Sequence, residues 1–373
     1  VGTADGSFAV AGIDYHASFA GDQRTIEGEV RTGKFLQIGP LGSKVREIAY
    51  GDSGTDKLAA EIVHVGGKRE VHAVQLEQSQ SLMGSGEITV GSATDLTDLI
   101  VGEPQRILVP ANAESIIITT SAGKVFYIWA ANMTERQVFE PFADQADKAI
   151  ASADFVFGDT SVVFTNPAGV NRIFSLFVAE GGDQRLFAQT KEFDSLPGGA
   201  SFYAHRLRNK GFLIGSGSSA SLRYATTGVE SWSQDLGFTP IAAAISGKDD
   251  RIALLDADSK LHWLDLLDPH PEAGWNAFFG KVWYEGYSEP KYEWQSTGGT
   301  DDFESKLSLV PLIFGTLKGT IYAMLFALPI ALMAAMYTSQ FAHPKVRTVV
   351  KPTMEIMASL PSVVLGFLAA LWL

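Results

Sequence analysis

Residues 115–130, SIIITTSAGKVFYIWA, decide how most of the chain folds. A run rich in isoleucine and threonine precedes the turn Ser-Ala-Gly, and a run rich in valine and aromatic side chains follows it. β-Branched and aromatic residues favour strands, and a short Gly-containing connection between two such runs is typical of a hairpin. The stretch therefore predicts two antiparallel strands joined by a tight turn.

The same plan recurs along the chain, with first strands that start at Ser115, Ser161, Gly211 and Arg251, at spacings of 46, 50 and 40 residues. Looser copies begin at Ser7 and Leu58. A period of roughly 40–50 residues with about four strands per unit is typical of a β-propeller, whose sheets bury their faces by stacking on their neighbours. We predict a mostly β domain over residues 1–267, a propeller of about 6–7 blades. A large β-sandwich, or two small ones, is the alternative.

Composition excludes several classes of protein. The 373 residues contain no cysteine, which excludes disulfides, thiolate metal sites and a cysteine nucleophile within this sequence. The net charge of −13 argues against nucleic-acid binding, which needs a basic face. The chain does not begin with Met and ends inside an apolar run, so we expect it to be a fragment.

Motifs for catalysis, metals or cofactors are not found in the sequence. Residues 215–221, GSGSSAS, are followed by a predicted strand, whereas a P-loop needs a lysine and a helix after its glycines. The seven histidines form no HExxH motif. We expect a chain that is not an enzyme, that binds no metal or cofactor, and that leaves ATP hydrolysis to a separate partner.

After residue 306 the sequence becomes almost continuously apolar. Residues 319–341 and 356–373 carry no charge, and the first run is long enough to cross a hydrocarbon core of ~30 Å at ~1.5 Å per residue. We predict that residues 307–373 form transmembrane helices in the lipid bilayer.

Charges flanking the apolar runs predict the orientation. The predicted loop 342–352 contains His343, Lys345, Arg347 and Lys351 and no acidic residue, whereas Asp301, Asp302 and Glu304 precede the first run. Because basic loops stay in the cytoplasm, we expect loop 342–352 to be cytoplasmic. Residues 1–306 are then periplasmic, in a protein of the bacterial inner membrane.

The first apolar run contains small residues at every fourth position, which predicts a ridge where another helix packs closely; chance spacing of common alanines is the alternative. The ridge consists of Gly315, Gly319, Ala323, Ala327, Ala331 and Ala335.

Four residues are candidates for a substrate path. We expect Lys318, near the outer end of its helix, either to snorkel to the interface or to attract an oxyanion. Ser359 and Ser362 flank Pro361, where interrupted helical hydrogen bonding is expected to present backbone groups to the path.

Residues 268–306 are rich in Trp, Phe and Tyr, which favour the membrane–water boundary. We interpret this segment as an elbow or linker at the outer membrane surface. Packing against the underside of the β-domain is the alternative.

Several motifs of the apolar part resemble the phosphate-specific (Pst-type) ABC transporter permeases, PstC-like subunit. They are PLIFGTL (311–317), ALPIA (327–331), VRTVVKP (346–352) and, above all, EIMASLPSVVLG (355–366). KVWYEG (281–286) and TDDFE (300–304) are similar to the subgroup with an enlarged periplasmic domain.

The resemblance implies a type I importer fold in which the chain forms part of a phosphate path. It also implies three partners: a second permease subunit, a cytoplasmic ATPase dimer and a periplasmic phosphate-binding protein. The β-domain is then a docking or regulatory module. The alternative is a membrane-anchored periplasmic propeller that acts as a sensor, a binding module or an enzyme.

Overall fold

The computed structural model describes residues 2–3, 5–21, 23–78, 88–179, 181–182, 184–196, 198–300 and 302–372. Asp301, used above for orientation, and Leu373, the end of the second apolar run, lie outside the described residues. The chain divides into two units, Val1–Ser308 and Leu309–Leu373, called here the β-unit and the helical unit.

The β-unit begins with two small pairs of strands. Strands β1 (Ser7–Phe8) and β4 (Leu36–Gln37) pair with each other, and between them β2 (Ala11–Ala20) and β3 (Gln23–Thr32) form a long antiparallel hairpin.

Five larger antiparallel sheets follow in chain order within the described residues. The first contains β5 (Lys44–Asp52), β6 (Lys57–Val65), β7 (Lys68–Gln78), β8 (Ile88–Val90) and β9 (Thr94–Asp95), followed by a 3-10 turn at Thr97–Leu99. The second contains β10 (Pro104–Leu108), β11 (Ser115–Thr120), β12 (Val125–Trp129) and β13 (Arg136–Phe139). The third contains β14 (Ser152–Phe155), β15 (Ser161–Thr165), β16 (Asn171–Val178) and β17 (Arg185–Phe193).

The fourth sheet contains β18 (Phe202–His205), β19 (Gly211–Ser216), β20 (Ser219–Tyr224) and β21 (Val229–Asp235). The fifth has three strands, β22 (Pro240–Ile245), β23 (Arg251–Asp256) and β24 (Leu261–Asp265). Helix α1 (Trp275–Phe279) and the pair β25 (Trp294–Gln295) and β26 (Lys306–Leu307) complete the unit.

Every repeat start in the sequence except Ser7 falls on, or one residue into, the second strand of a sheet. Strands β11, β15, β19 and β23 begin at Ser115, Ser161, Gly211 and Arg251, and β6 begins one residue before Leu58. In each sheet this second strand pairs with the strands before and after it. The second, third and fourth of these sheets have four strands each, which fits a propeller.

Consecutive sheets stack on each other, and the second strand of a sheet therefore buries side chains on both of its faces. Ile116 and Ile118 of β11 belong to a cluster with the first sheet, whereas Ile117 points into a cluster with the third. Phe212 and Leu213 of β19 likewise join opposite clusters. Strands buried on both faces read as near-continuous apolar runs, which explains the sequence SIIITT.

The blade count differs from the prediction of about 6–7. The unit predicted to begin at Ser7 is the two-stranded hairpin β2–β3 instead, so the described residues hold five sheets of three or more strands. Alternation of apolar and polar residues reveals a strand, but it does not reveal how many neighbours the strand has.

The helical unit begins with α2 (Val310–Met336), which continues through Pro329 and ends in a π-turn at Tyr337–Phe341. Helices α3 (Pro344–Ser359) and α4 (Ser362–Trp372) follow. Residues Val310–Phe341 are long and apolar enough to cross a membrane.

One prediction for the helical unit was wrong in detail. Most of the predicted loop 342–352 is helical, because Pro344 suits the first turn of a helix and His343 caps it by accepting a hydrogen bond from the Lys345 amide. Helices α3 and α4 meet at an angle of 100°, because Pro361 has no N–H and its ring disfavours helix at Leu360.

Candidate functional site

The first strands of successive sheets meet around Arg106. Its guanidinium donates hydrogen bonds to Asp154 Oδ1 (2.7 Å) and to the Ala153 carbonyl (2.8 Å), and it lies 3.8 Å from Glu47 Oε1. The Tyr203 hydroxyl donates to the Phe155 carbonyl at 2.9 Å. Strands β5, β10, β14 and β18 are thereby linked side by side, as inner strands around a propeller axis are.

This axial cluster offers no spare positive charge to an anion. Arg106 is shared by two carboxylates, Glu47 and Asp154. A cation that already faces two carboxyl groups gains little from an approaching phosphate, which their charge repels. The cluster is therefore better explained as a link between sheets than as an oxyanion site.

A second cluster ties the connector, residues 268–308, to the third and fourth sheets. Lys210, whose side chain is 2% exposed, donates to Glu285 Oε2 (2.6 Å) and to the Phe157 carbonyl (2.7 Å). The Ser161 hydroxyl donates to the other oxygen of Glu285. A carboxylate from the connector is thus held by a lysine and a hydroxyl from two different sheets.

Glu304 and Lys191 extend this cluster, which we call the tether (Lys191, Lys210, Glu285 and Glu304). Glu304 accepts hydrogen bonds from the Thr226 hydroxyl (2.6 Å) and from the Glu285 amide (2.7 Å), while Lys191 donates to the Trp283 carbonyl at 2.7 Å. The middle of the connector, at Glu285, and a position near its end, at Glu304, are therefore fixed close together on the sheets.

Burial shifts the titration of two tether residues. It raises the pKa of Glu285, an effect to which the nearby charge of Glu304 adds, and it lowers the pKa of Lys191. A raised carboxyl pKa means that the folded state holds the proton more tightly than the unfolded state does. The contribution of Glu285 to stability is therefore greatest at low pH and is lost as the pH rises through its folded pKa.

We predict that Glu285→Gln removes this pH dependence. As the pH rises from the ordinary glutamate range toward neutrality, the unfolding free energy of the wild type should fall relative to that of the variant. Denaturant unfolding at several pH values measures this difference. Glu114→Gln, at a carboxylate that is 55% exposed, is the matched control for the substitution itself. Equal pH profiles for the wild type and Glu285→Gln would contradict the assignment.

Aromatic side chains surround a lysine at the end of the connector. Lys306 Nζ lies 4.9 Å from the ring centroid of Tyr287, 5.5 Å from that of Phe303 and 5.8 Å from that of Tyr284. Trp283 packs against Phe177 of the third sheet at 5.8 Å. These contacts favour packing of the predicted elbow against the β-domain; its placement at a membrane surface stays a prediction.

In the helical unit the predicted path residues are dispersed. Lys318 lies on α2 with its Nζ 5.8 Å from the Tyr322 ring centroid, and the Ser359 hydroxyl donates to the Ile356 carbonyl within α3. Among the described residues, no hydrogen bond joins Lys318 to Ser359, Pro361 or Ser362. The structure brings only the last three together, at the break between α3 and α4.

The small-residue ridge lies entirely on α2. An added Cβ at Gly315 or Gly319 would meet nothing within 4 Å, so this part of the ridge is open to a neighbour. Its role in helix packing stays a prediction.

Arg347 fixes the turn between α2 and α3. Its Nε donates to the Thr338 carbonyl at 3.1 Å, and a terminal nitrogen donates to the Ser339 carbonyl. These carbonyls belong to the π-turn that ends the long apolar helix, where a cation is favourable. The basic residue predicted to mark the cytoplasmic loop therefore has a structural partner as well.

The tether was not predicted from the sequence. Glu285 and Glu304 lie in the motifs KVWYEG and TDDFE, which pointed to this region, but Lys210 is 75 residues away from Glu285 and belongs to no motif. In the sequence, only the resemblance of these two motifs to a permease subgroup pointed to the tether, and it pointed to Glu285 and Glu304 but not to the lysines.

No family model matches the chain. Among solved structures, the β-propeller domain of Cps50 (Swd1) from Myceliophteria thermophila is similar at 10% identity and a TM-score of 0.39, over 72% of this chain and 95% of that one. This structural similarity is too low to support a fold assignment, so the propeller description rests on the strand pairing and stacking given above.

One curated protein is similar in sequence. It is the "Probable ABC transporter permease protein YqgH" of Bacillus subtilis (strain 168), 33% identical over 67 residues, which are 18% of this chain and 22% of that protein. The chain thus spans about a fifth of the length of the relative that it matches. Part of the chain is therefore similar to an ABC transporter permease.

Proposed function

We propose that the chain is part of the permease subunit of an ATP-driven phosphate importer of the bacterial inner membrane. The helical unit contributes to the substrate path, and a second permease subunit completes it. A cytoplasmic ATPase dimer supplies energy, and a periplasmic phosphate-binding protein delivers the substrate. Residues 1–308 are periplasmic in this proposal, and the turn before α3 is cytoplasmic.

The observation that carries the proposal is the broken pair α3–α4 beside one long apolar helix. Leu360 is extended and Pro361 has no N–H, so the end of α3 and the beginning of α4 lack continuous helical hydrogen bonding. In transporters, interrupted helices place such free backbone groups where ions and anionic substrates bind. The similarity to an ABC transporter permease supports the same proposal.

We propose that the β-unit docks or regulates and does not store phosphate. The net charge of the whole chain is −13, and the cations of the axial cluster and of the tether are matched by carboxylates. Like charges repel, so this surface disfavours a phosphate ion while it leaves contacts with another protein open.

Uptake of labelled phosphate at micromolar concentration tests the function. Cells without their own importer receive the full-length gene with its partner genes, either intact or with residues 1–308 replaced by a flexible linker. The cut is placed at 308 and not at 267, the predicted end of the β domain. A cut at 267 would leave Glu285 and Glu304 without Lys191 and Lys210. We expect uptake with the intact gene and reduced but measurable uptake after the deletion, since the path lies in the helical part.

Two outcomes would change the proposal. Loss of uptake by a deleted protein that still reaches the membrane would assign the β-unit to substrate delivery. If the intact system moves no phosphate, the phosphate proposal is wrong, and the membrane-anchored sensor or binding module becomes the better hypothesis.

A further inference from the structure

The hairpin β2–β3 has one apolar face that no other described residue covers. Pairing of Ile13 with Val30 and of Ala17 with Ile26 places these side chains on one face together with Tyr15 and Phe19. Tyr15 and Phe19 are 72% and 74% exposed. The opposite face is polar and carries Asp14, His16, Glu27, Glu29 and Arg31.

Such a hairpin needs a packing partner. A two-stranded hairpin alone is marginally stable in water at best, and strands gain stability by packing an apolar face. Contiguous exposed apolar surface marks interaction sites. The apolar face of the hairpin is therefore expected to lie against another apolar surface.

The fifth sheet presents a surface of this kind. One face, with Ile252 and Leu254, packs on the fourth sheet. The other face carries Leu261 and Trp263, which are 49% and 62% exposed. In register with them lie Leu255 and Ala253, which are only half-buried. Within the described residues, every other face between or at the end of the five sheets carries an apolar cluster, and this outer face of the fifth sheet does not.

Chain order indicates the occupant. Four apolar clusters join each sheet to the next, from the first to the fifth. Before the first sheet, Phe8 of β1 and Ile38, the residue after β4, pack on it, and the hairpin extends from β1 and β4. The stack thus has an open apolar face on the hairpin at one end and another on the fifth sheet at the other.

Charged side chains lie at the edge of each apolar face, and those of the fifth sheet, Arg251 and Asp265, form an ion pair with each other at 3.9 Å. Arg24 pairs with Phe19 and so shares the apolar face of the hairpin. On the outer face of the fifth sheet, Asp265 pairs with Arg251, and its side chain is 97% exposed. We propose that the apolar face of β2–β3 packs on the outer face of β22–β24 in the same molecule and closes the stack into a ring. This inference concerns the β-unit and is independent of the transport function.

Cross-linking in the full-length protein, with any cysteine outside these 373 residues replaced by serine, tests the contact; the 373 residues themselves contain no cysteine. Facing sheets pack ~10 Å apart, and a disulfide needs Cα atoms within ~7 Å, so a short bifunctional thiol reagent is preferable to oxidation. The test pair is Ile26→Cys with Trp263→Cys. The matched control is Glu27→Cys with Trp263→Cys, since Glu27 lies on the polar face.

We expect a fast cross-link within single molecules for the test pair, and a much slower one for the control. Cross-links between two molecules would overturn the proposal in favour of a second copy as the occupant. Equal reaction of both pairs, or no reaction, would also overturn it.

Hydrogen exchange on the unsubstituted protein provides a measurement that needs no variant. The amides of residues 11–32 should be protected to an extent similar to those of β22–β24, because packed strands open rarely. Exchange of the hairpin at the rate of an unstructured peptide would overturn the proposal.

Discussion

Replacing Lys210 with alanine is expected to lower the free energy of unfolding of the β-unit by about 3–5 kcal/mol near neutral pH. The ammonium group of Lys210 is buried between the Phe157 carbonyl and Glu285. Its removal leaves a carboxylate with a raised pKa beside Glu304, without a cation in hydrogen-bonding contact. Denaturant unfolding of the full-length protein, followed by tryptophan fluorescence, measures the loss.

A matched lysine provides the control. Lys148 pairs with Glu140 at 3.3 Å, but the lysine side chain is 51% exposed, so Lys148→Ala should cost about 0–1 kcal/mol. The double variant Lys210→Met with Glu285→Gln should recover much of the loss, because it removes both buried charges. Similar losses for Lys210→Ala and Lys148→Ala would show that the tether does not hold the connector.

Enlarging the small-residue ridge of α2 is expected to reduce phosphate uptake by roughly tenfold or more. Ala323→Phe fills the space through which a second helix approaches, and overpacking of a close contact costs about 1–3 kcal/mol. Uptake by the full-length protein with its partners, normalised to the amount in the membrane, measures the effect.

Leu325→Phe introduces the same side chain on the other side of α2, about 200° around the helix at 3.6 residues per turn. It should leave uptake within about twofold of the wild type, because most substitutions outside a packed contact change stability by less than about 0.5 kcal/mol. Equal loss from both variants would mean that α2 has no preferred packing face.

The repeats were predictable because their signal is local. Each run from Ser115, Ser161, Gly211 or Arg251 combines strand-forming residues with a short turn within about twenty positions, and the structure begins a strand at each of them. The stacking of neighbouring sheets followed from the same runs, which are apolar on both faces.

The hairpin at β2–β3 and the tether were not predictable in the same way. Ten-residue strands have the same alternation of side chains in the sequence whether two or four of them pair. The sequence therefore predicts another repeat unit after Ser7, where the structure has a two-stranded hairpin. The contact between Lys210 and Glu285 depends on where two distant segments meet, and no periodicity reports that. Pro361 did mark a break, but its size, 100°, depends on the extended conformation of Leu360.

The most direct test of the central claim is ATP-driven phosphate accumulation by the purified complex. The full-length protein with its second permease subunit and ATPase is reconstituted in vesicles, with ATP inside and the phosphate-binding protein outside. The account predicts accumulation of labelled phosphate that requires both ATP and the binding protein. Intact, correctly assembled complex that hydrolyses ATP without accumulating phosphate would contradict it.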